Sequence, residues 1–350
     1  MFKGVSLEPE TRKKIDRIGR VDVLVGIPSF NNVRTIAHVV RAISTGLAKY
    51  FPQAKALVVN SDGGSTDGTR EAVLSVQAED METMLVAHPV YPVHKIVTPY
   101  HGLPGKGSAF RTIFKIADEL EAKACLVVDA DLRSITPEWV QLLVMPVLNK
   151  GYDYVCPLYS RHKYDGTITN SIVYPMTRAL YGLRIRQPIG GDFGISGKLV
   201  KIFLNQDVWD TEVARYGIDI WMTTTAITQR CKICQSYLGA KIHDAKDPAT
   251  HLSTMLYQVL CSLFGLMVQN HNFWANINSS QEVPVFGFRY EVGLEPVFVD
   301  LARMVANFKQ GLSDLLPIWE KVLSARTMQG LLAVNNFQPK EFSFPAELWV

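Results

Sequence analysis

Little in this chain of 350 residues points to a membrane, a polyanion or an oxidising compartment. There are five cysteines. An odd number scattered over a mid-sized chain is no disulfide framework, and it fits reduced thiols in a cytosol. Cys231 and Cys234 form a lone CxxC; one pair cannot close a zinc site, so packing on a strand is the plain expectation. Charge of one sign is also missing. The 36 Lys and Arg against 33 Asp and Glu leave +3, too little to attract nucleic acid or an anionic bilayer through the overall field. Any phosphorylated ligand must be held by local placement instead. Met1-Phe2-Lys3-Gly4 leads into a charged stretch without the apolar core of a secretory signal. The longest apolar run, residues 255–268, is interrupted by Gln258 and is too short for a membrane span. Repeats and low-complexity tracts are absent too. The expectation is a cytoplasmic protein with no membrane span and no nucleic-acid partner.

What is present is an ordinary folded composition, 47% apolar and 20% charged, on a chain long enough for a substantial core. Short β-branched runs at 21–27, 56–60, 124–129 and 152–157 alternate with helical patterns at 33–49, 67–77, 105–120 and 137–148. Such alternation predicts a mostly parallel sheet covered on both faces, with ligands outside the carboxyl ends of the strands. The second half reads as a polar basic loop at 159–166, a helix at 167–181 and a glycine-rich stretch at 187–197. A helix at 216–229, a strand at 231–238 and a polar loop at 240–248 follow. From 251 to about 325 the pattern is helical, with a loop around 276–288. The chain stops on Glu347-Leu348-Trp349-Val350, an apolar end that fits either docking onto the body or the cut edge of a longer protein.

The residues with chemical potential fall at the strand ends. Cys125-Leu126-Val127-Val128 runs into Asp129-Ala130-Asp131, two carboxylates at i and i+2 on one side of an extended chain. Oxygen ligands so placed suit a hard divalent cation that bridges a diphosphate; capping of the next helix is the ordinary alternative. After the second strand comes Ser61-Asp62-Gly63-Gly64-Ser65-Thr66-Asp67-Gly68-Thr69. Its glycines permit a tight turn, and Asp67 can cap the following helix. Asp62 has no such local duty on sequence grounds, which makes it the better candidate to face a ligand. Leu103-Pro104-Gly105-Lys106-Gly107 opens a helix whose backbone N–H groups and one lysine suit an anion, although the spacing is not that of a Walker A loop.

Together, Pro28-Ser29-Phe30-Asn31, the Asp62 turn, Pro104-Gly105-Lys106-Gly107 and Asp129-Ala130-Asp131 resemble the nucleotide-sugar half of GT-A glycosyltransferases, in order and spacing. Gln187-Pro188-Ile189-Gly190-Gly191-Asp192, Tyr216-Gly217-Ile218-Asp219 and Gly239-Ala240-Lys241-Ile242-His243 resemble the acceptor side of the mannosylglycerate, glucosylglycerate and glucosyl-3-phosphoglycerate synthases. The resemblance implies a Rossmann-like GT-A domain of the α/β class with a C-terminal helical extension. Its parts would be a charged helical lead at 1–20, a nucleotide-sugar half at 21–135, an acceptor half at 136–250 and a helical region at 251–350. Donor contacts would come from Pro28, Asn31, Asp62 at the base, Lys106 at the base or diphosphate, Asp129 at the ribose, and Ala130. Asp131 and His243 would bind Mg²⁺ or Mn²⁺, and Asp219 would hold the sugar hydroxyls. Asp131, Asp219 and His243 would therefore form the catalytic set. Arg161, Thr167, Thr169, Asn170, Gly190, Gly191 and Asp192 would meet the acceptor, for which an arginine fork suits a carboxylate. Two positions depart from the relatives: Asn31-Asn32 stands where many have Asn-Glu, and Asp192 where many have glutamate.

By the same resemblance the reaction is metal-dependent and retains anomeric configuration. It would move glucose or mannose from UDP-glucose, GDP-mannose or GDP-glucose to D-glycerate or 3-phosphoglycerate, toward a compatible solute. The alternatives are a GT-A enzyme acting on a polyprenyl phosphate or a glycan, and a silent nucleotide-sugar-binding module. The partners expected are small molecules, and the helical tail is compatible with a homodimer.

Overall fold

The computed structural model describes residues 7–76, 94–99, 103–162, 164–243, 248–290, 293–294 and 299–350. Parts of the N-terminal lead, the end of the helical pattern at 77, residue 163 of the basic loop and residues 244–247 of the later polar loop lie outside them. Eight strands form one sheet: β1 (Val23–Ser29), β2 (Ala56–Asp62), β3 (His94–Pro99), β4 (Ala124–Val127), β5 (Tyr154–Ser160), β6 (Phe193–Ser196), β7 (Ile233–Ala240) and β8 (Val285–Phe286). Their order is β3-β2-β1-β4-β6-β5-β7-β8. All neighbours run parallel except β6, which is antiparallel to both β4 and β5.

Period-two alternation of side chains builds two cores, one on each face. On β1, Leu24 joins Leu57, Val59, Cys125 and Val127 on one side, whereas Val23, Val25 and Ile27 join Val58, Leu126 and Val155 on the other. Helices Lys106–Glu119, Gly197–Leu204 and Ile218–Thr228 cover the first face with Phe110, Phe203 and Trp221. Helices Ile36–Tyr50 and Pro137–Lys150 cover the second with Ile43, Leu47, Trp139 and Leu143. The expected doubly covered, mostly parallel sheet is what the chain forms. All five cysteines are free, and Cys234 lies buried on β7.

The sequence pattern has no counterpart for β3, β8 or the helix Gly197–Leu204, and three further elements differ from it. The glycine-rich stretch contains β6, which is wedged between β4 and β5. The helix expected at 167–181 begins with a π-helical turn over Thr169–Val173 before it becomes α-helical at Tyr174–Tyr181. Pro175 explains the widening, since it lacks an N–H and its ring displaces the carbonyl four residues back. Finally, helix Pro248–Gln269 contains an 18-residue window, Leu252–Gln269, that is long and apolar enough to cross a membrane by length and composition, with only 28% of it buried. This window extends the apolar run 255–268 toward the N-terminus, and Gln258 and Ser262 within it are buried.

Contacts divide the chain into Met1–Glu295 and Pro296–Val350. The second unit consists of helices Leu301–Val322, Ala325–Asn335 and Ala346–Trp349, packed around Leu312, Met328 and Leu331.

Candidate active site

The turns that leave β1 and β2 are locked to each other. The register pairs Pro28 with Ser61 and Ser29 with Asp62. Asp62 is 1% exposed and accepts hydrogen bonds from Ser29 Oγ at 2.9 Å, Gly64 N at 3.0 Å, Ser65 N at 2.9 Å and Ser65 Oγ at 2.6 Å. This corrects the expectation that Asp62 has no local duty: its carboxylate ties the β2 turn together, as buried carboxylates must when no counter-ion is at hand. Asn31 has φ of 54°, a left-handed conformation that asparagine tolerates. From there its N–H donates to Ser65 Oγ at 2.8 Å and its Oδ1 accepts from Thr66 N at 3.0 Å. Pro28 and Asn31 thus shape the turn from the β1 side.

The Lys106 loop also differs in its backbone. A Cβ on Gly107 would stand 1.9 Å from the Val213 carbonyl oxygen, and the Gly107 N–H donates to Arg215 O at 3.2 Å. The glycine serves close approach of segment 213–215, so this N–H is committed to protein and is not offered to an anion. The lysine itself turns inward. Its Nζ lies 2.9 Å from Asp129 Oδ1 and 3.2 Å from both oxygens of Asp219.

Asp129 is held from the other side by Lys241, whose Nζ donates to Asp129 Oδ2, Asp192 Oδ2 and Gly190 O, each at 2.8 Å. Burial alone would raise the Asp129 carboxyl, but the flanking Lys106 and Lys241 charges drive it far below the usual range. Burial pulls both ammonium groups down, and the carboxylates around them outweigh it, leaving each above its ordinary value. Asp192 and Asp219 are shifted upward, mainly by burial. Three carboxylates face two ammonium groups, and the Arg161 guanidinium lies near enough to act on Lys241 as a further positive charge.

Asp192, expected to meet the acceptor, lies beside Asp129. It is 0% exposed, its Oδ1 accepts from the Asp129 N–H at 2.8 Å, and its Oδ2 accepts from Lys241 and from the Tyr159 hydroxyl. Every visible bond serves Asp129 or the residues behind it. Gly190 and Gly191 belong to the same arrangement. Gly191 has φ of +90°, and a Cβ there would lie 2.1 Å from Asp129 Oδ2. The backbone approach Gly191 permits is to the Asp129 carboxylate, whereas Gly190 lies against the Pro157 ring and lends its carbonyl to Lys241.

The remaining expected acceptor residues follow β5. Arg161 Nε lies 3.6 Å from Asp165 Oδ2, and its guanidinium sits 5.7 Å from the centre of the Tyr159 ring. Thr167 is exposed, Thr169 is buried, and Asn170 Nδ2 donates to Asp165 O at 3.2 Å. Asp165 Oδ1 also lies 3.8 Å from His243 Nε2.

Ala130 is buried, and its carbonyl accepts from Thr35 Oγ1 at 2.7 Å. Leu132 and His243 form an isolated antiparallel bridge, reinforced by Arg133 N donating to Ile242 O at 2.8 Å. Asp131 therefore stands one residue from the position opposite His243, on a neighbouring segment. Among the described residues no three His, Cys, Asp or Glu side chains gather as a metal cage. One carboxylate and one imidazole nevertheless fit a Mg²⁺ or Mn²⁺ ion that takes its other oxygens from a diphosphate and water.

Sequence reasoning gave no role to Lys241 or Tyr159. The available signal was a lysine between Ala240 and Ile242 at the end of a strand buried on both faces, a position that a cation occupies only with partners.

Residues 24–200 match the family described as Glycosyl transferase family 2. Among solved structures, glucosyl-3-phosphoglycerate synthase from Mycobacterium tuberculosis in complex with Mn²⁺, UDP and glucosyl-3-phosphoglycerate is similar with a TM-score of 0.53 and 23% identity, over 73% of this chain and 83% of that one. The same protein with Mn²⁺, UDP-glucose and phosphoglyceric acid gives 0.52 and 21%, over 76% and 85%. With Mg²⁺ and UDP it gives 0.52 and 22%, over 73% and 82%. At these identities the likeness is one of fold. No curated protein matches the chain in sequence.

Proposed function

The chain belongs to glycosyl transferase family 2, and from that premise we propose that it moves a hexose, glucose or mannose, from a nucleotide sugar to D-glycerate or 3-phosphoglycerate with retention of configuration. The observation that carries the donor half is Lys106, which draws Asp129 and Asp219 to within about 3 Å of one ammonium. Three residues from three separate segments, each expected at the donor, share one half-buried point at the carboxyl ends of the sheet, where such folds bind ligands.

In this reading Asp131 and His243 hold the divalent ion, which supplies Lewis-acid stabilisation to the leaving diphosphate. Lys106 adds a second positive charge on the diphosphate side. Asp219, released from Lys106, accepts hydrogen bonds from sugar hydroxyls. Arg161 offers a guanidinium to an acceptor carboxylate or phosphate. No side chain at the site is assigned as a covalent nucleophile, which fits a front-face transfer in which the diphosphate takes up the acceptor proton.

The test is a panel of UDP- and GDP-sugars with Mg²⁺ or Mn²⁺, each offered D-glycerate and 3-phosphoglycerate, with release of nucleoside diphosphate followed over time. A pair that turns over and yields an α-glycoside by proton NMR supports the reading; absence of release with every pair rejects it. A polyprenyl phosphate belongs in the same panel. The little-buried apolar helix over Leu252–Gln269 packs beside the Asp219 helix, and among the described residues it is the feature that favours a lipid acceptor.

A further inference from the structure

Behind the Asp129 loop lies a buried group that no substrate can reach. Lys241 is 6% exposed, and an ammonium has three N–H donors. All three are used, on Asp129 Oδ2, Asp192 Oδ2 and Gly190 O. No donor remains for a ligand. Asp192 is completely enclosed, and its two oxygens are divided between the main chain and the side-chain support of a single residue. Oδ1 takes the Asp129 N–H, while Oδ2 takes Lys241 and Tyr159. The sheet dictates this placement, since β4 pairs antiparallel with β6 with Val127 opposite Phe193. Asp192, just before Phe193, therefore falls beside the segment that carries Asp129.

The effect on Asp129 is asymmetric. Oδ2 is held by Lys241 against the Gly191 backbone, and Oδ1 meets the less buried Lys106. From this we infer that Lys241 and Asp192 are positioning residues of the donor site: they clamp the Asp129 backbone and one of its oxygens so that a single oxygen is presented to the nucleoside diphosphate. Asp192 then has no part in acceptor recognition. The inference rests on the donor reading given above. A buried pair of this kind adds little net stability; its value lies in holding a neighbouring group within a few tenths of an ångström, where small displacements change binding strongly.

The experiment compares Asp192→Asn with the unaltered protein. It measures UDP and GDP affinity by calorimetry and separate KM values for donor and acceptor. Asparagine keeps the acceptor for the Asp129 N–H and removes the charge that orders Lys241. Nucleoside diphosphate affinity should fall about 10-fold, with donor KM rising in parallel and acceptor KM changing by less than about 2-fold. Because the two residues act as a unit, Lys241→Met/Asp192→Asn should be no worse than the more damaged single variant. If Asp192→Asn fails to fold, Tyr159→Phe leaves every charge in place and should give the same split at smaller size. A rise in acceptor KM with donor binding intact, or no change in either, overturns the inference while the donor reading stands. An unaltered protein that binds no nucleoside diphosphate removes the donor reading, and the inference with it.

Discussion

Lys106 and Asp219 lie 113 positions apart in sequence, and their charged groups meet at 3.2 Å. Lys106 opens the helix Lys106–Glu119, and Asp219 sits in the first turn of the helix Ile218–Thr228. The two helix starts converge because Gly107 lets segment 213–215 come into backbone contact. The same ammonium reaches Asp129 Oδ1, while Lys241 reaches Oδ2. The two lysines differ in their surroundings. Lys241 is saturated and 4% exposed at its side chain, whereas Lys106 is 14% exposed and bound only to carboxylates that a ligand would claim. Lys106 is thus the more exposed cation of the site and Lys241 the more enclosed one.

Replacing Lys106 by methionine leaves Asp129 with only Lys241 for a counter-charge and Asp219 with none in hydrogen-bonding distance. An uncompensated buried carboxylate costs several kcal/mol or takes up a proton. The expected result is a loss of kcat/KM of about 100-fold, roughly 2.7 kcal/mol at the transition state, expressed mainly in the donor. Steady-state kinetics with donor and acceptor varied separately check it. A variant within about 2-fold of the unaltered enzyme would show that Lys106 is only a structural counter-ion.

Gly191→Ala is a sharper probe, because it adds a single methyl. That carbon would enter at 2.1 Å from Asp129 Oδ2 and 2.8 Å from Lys241 Nζ, at a φ of +90°. Backbone strain alone costs about 1–3 kcal/mol, and relief requires Asp129 to move. Lower thermal stability together with lost nucleoside diphosphate affinity is expected. Gly151→Ala is the comparison. It lies at a φ of +66° with open space around it, so it should carry some of the strain and none of the affinity loss.

These two sites also indicate what was legible beforehand. The Asp129-Ala130-Asp131 and Asp62 turns could be found because each sits where a β-branched run ends, and Gly105-Lys106-Gly107 because it opens a helical pattern, all local signals. The helix bearing Asp219 was visible from its own helical pattern at 216–229. The meaning of Asp192 was not, because it depends on β6. That strand is four residues of Phe-Gly-Ile-Ser, too short and glycine-rich to stand out, and only its pairing with β4 sets Asp192 beside Asp129. Lys241 was equally hidden, since its partners lie 112, 51 and 49 positions away. Asp62 failed in the opposite sense. Its bonds to Gly64 and Ser65 are local and could have been anticipated from the tendency of aspartate to bind the backbone two and three residues on.

The metal assignment is tested through Asp131 and His243 separately. Because the Leu132–His243 bridge brings their segments together, each alanine variant should weaken Mn²⁺ binding in the presence of UDP, read by electron paramagnetic resonance. Removing a charged ligand costs more than removing a neutral one, so Asp131→Ala should be the more severe. Activity should respond to added Mn²⁺ at a higher concentration in His243→Ala and scarcely at all in Asp131→Ala. Unchanged Mn²⁺ binding in both variants would place the ion elsewhere.

Alkaline pH offers a measure of the buried cluster that needs no substrate. Lys106 and Lys241 are opposed by burial, but their carboxylate partners hold both above 10.5. Burial pushes the hydroxyls of Tyr154 and Tyr159 well above 10, and Asp192 adds to the shift at Tyr159. A group whose folded pKa exceeds its unfolded value contributes stability that is complete below the unfolded value and lost as pH rises toward the folded one. Lysine and tyrosine therefore act in the same direction. From about pH 10 upward the unfolded chain gives up protons that the native protein retains, so denaturant midpoints should fall steadily. In Tyr159→Phe and in Lys241→Met/Asp192→Asn the decline should be shallower, because fewer protons separate the two states. Midpoints measured from pH 8 to pH 11.5 decide it: a slope identical to that of the unaltered protein in both variants would mean that these groups titrate normally and that the cluster is open to solvent.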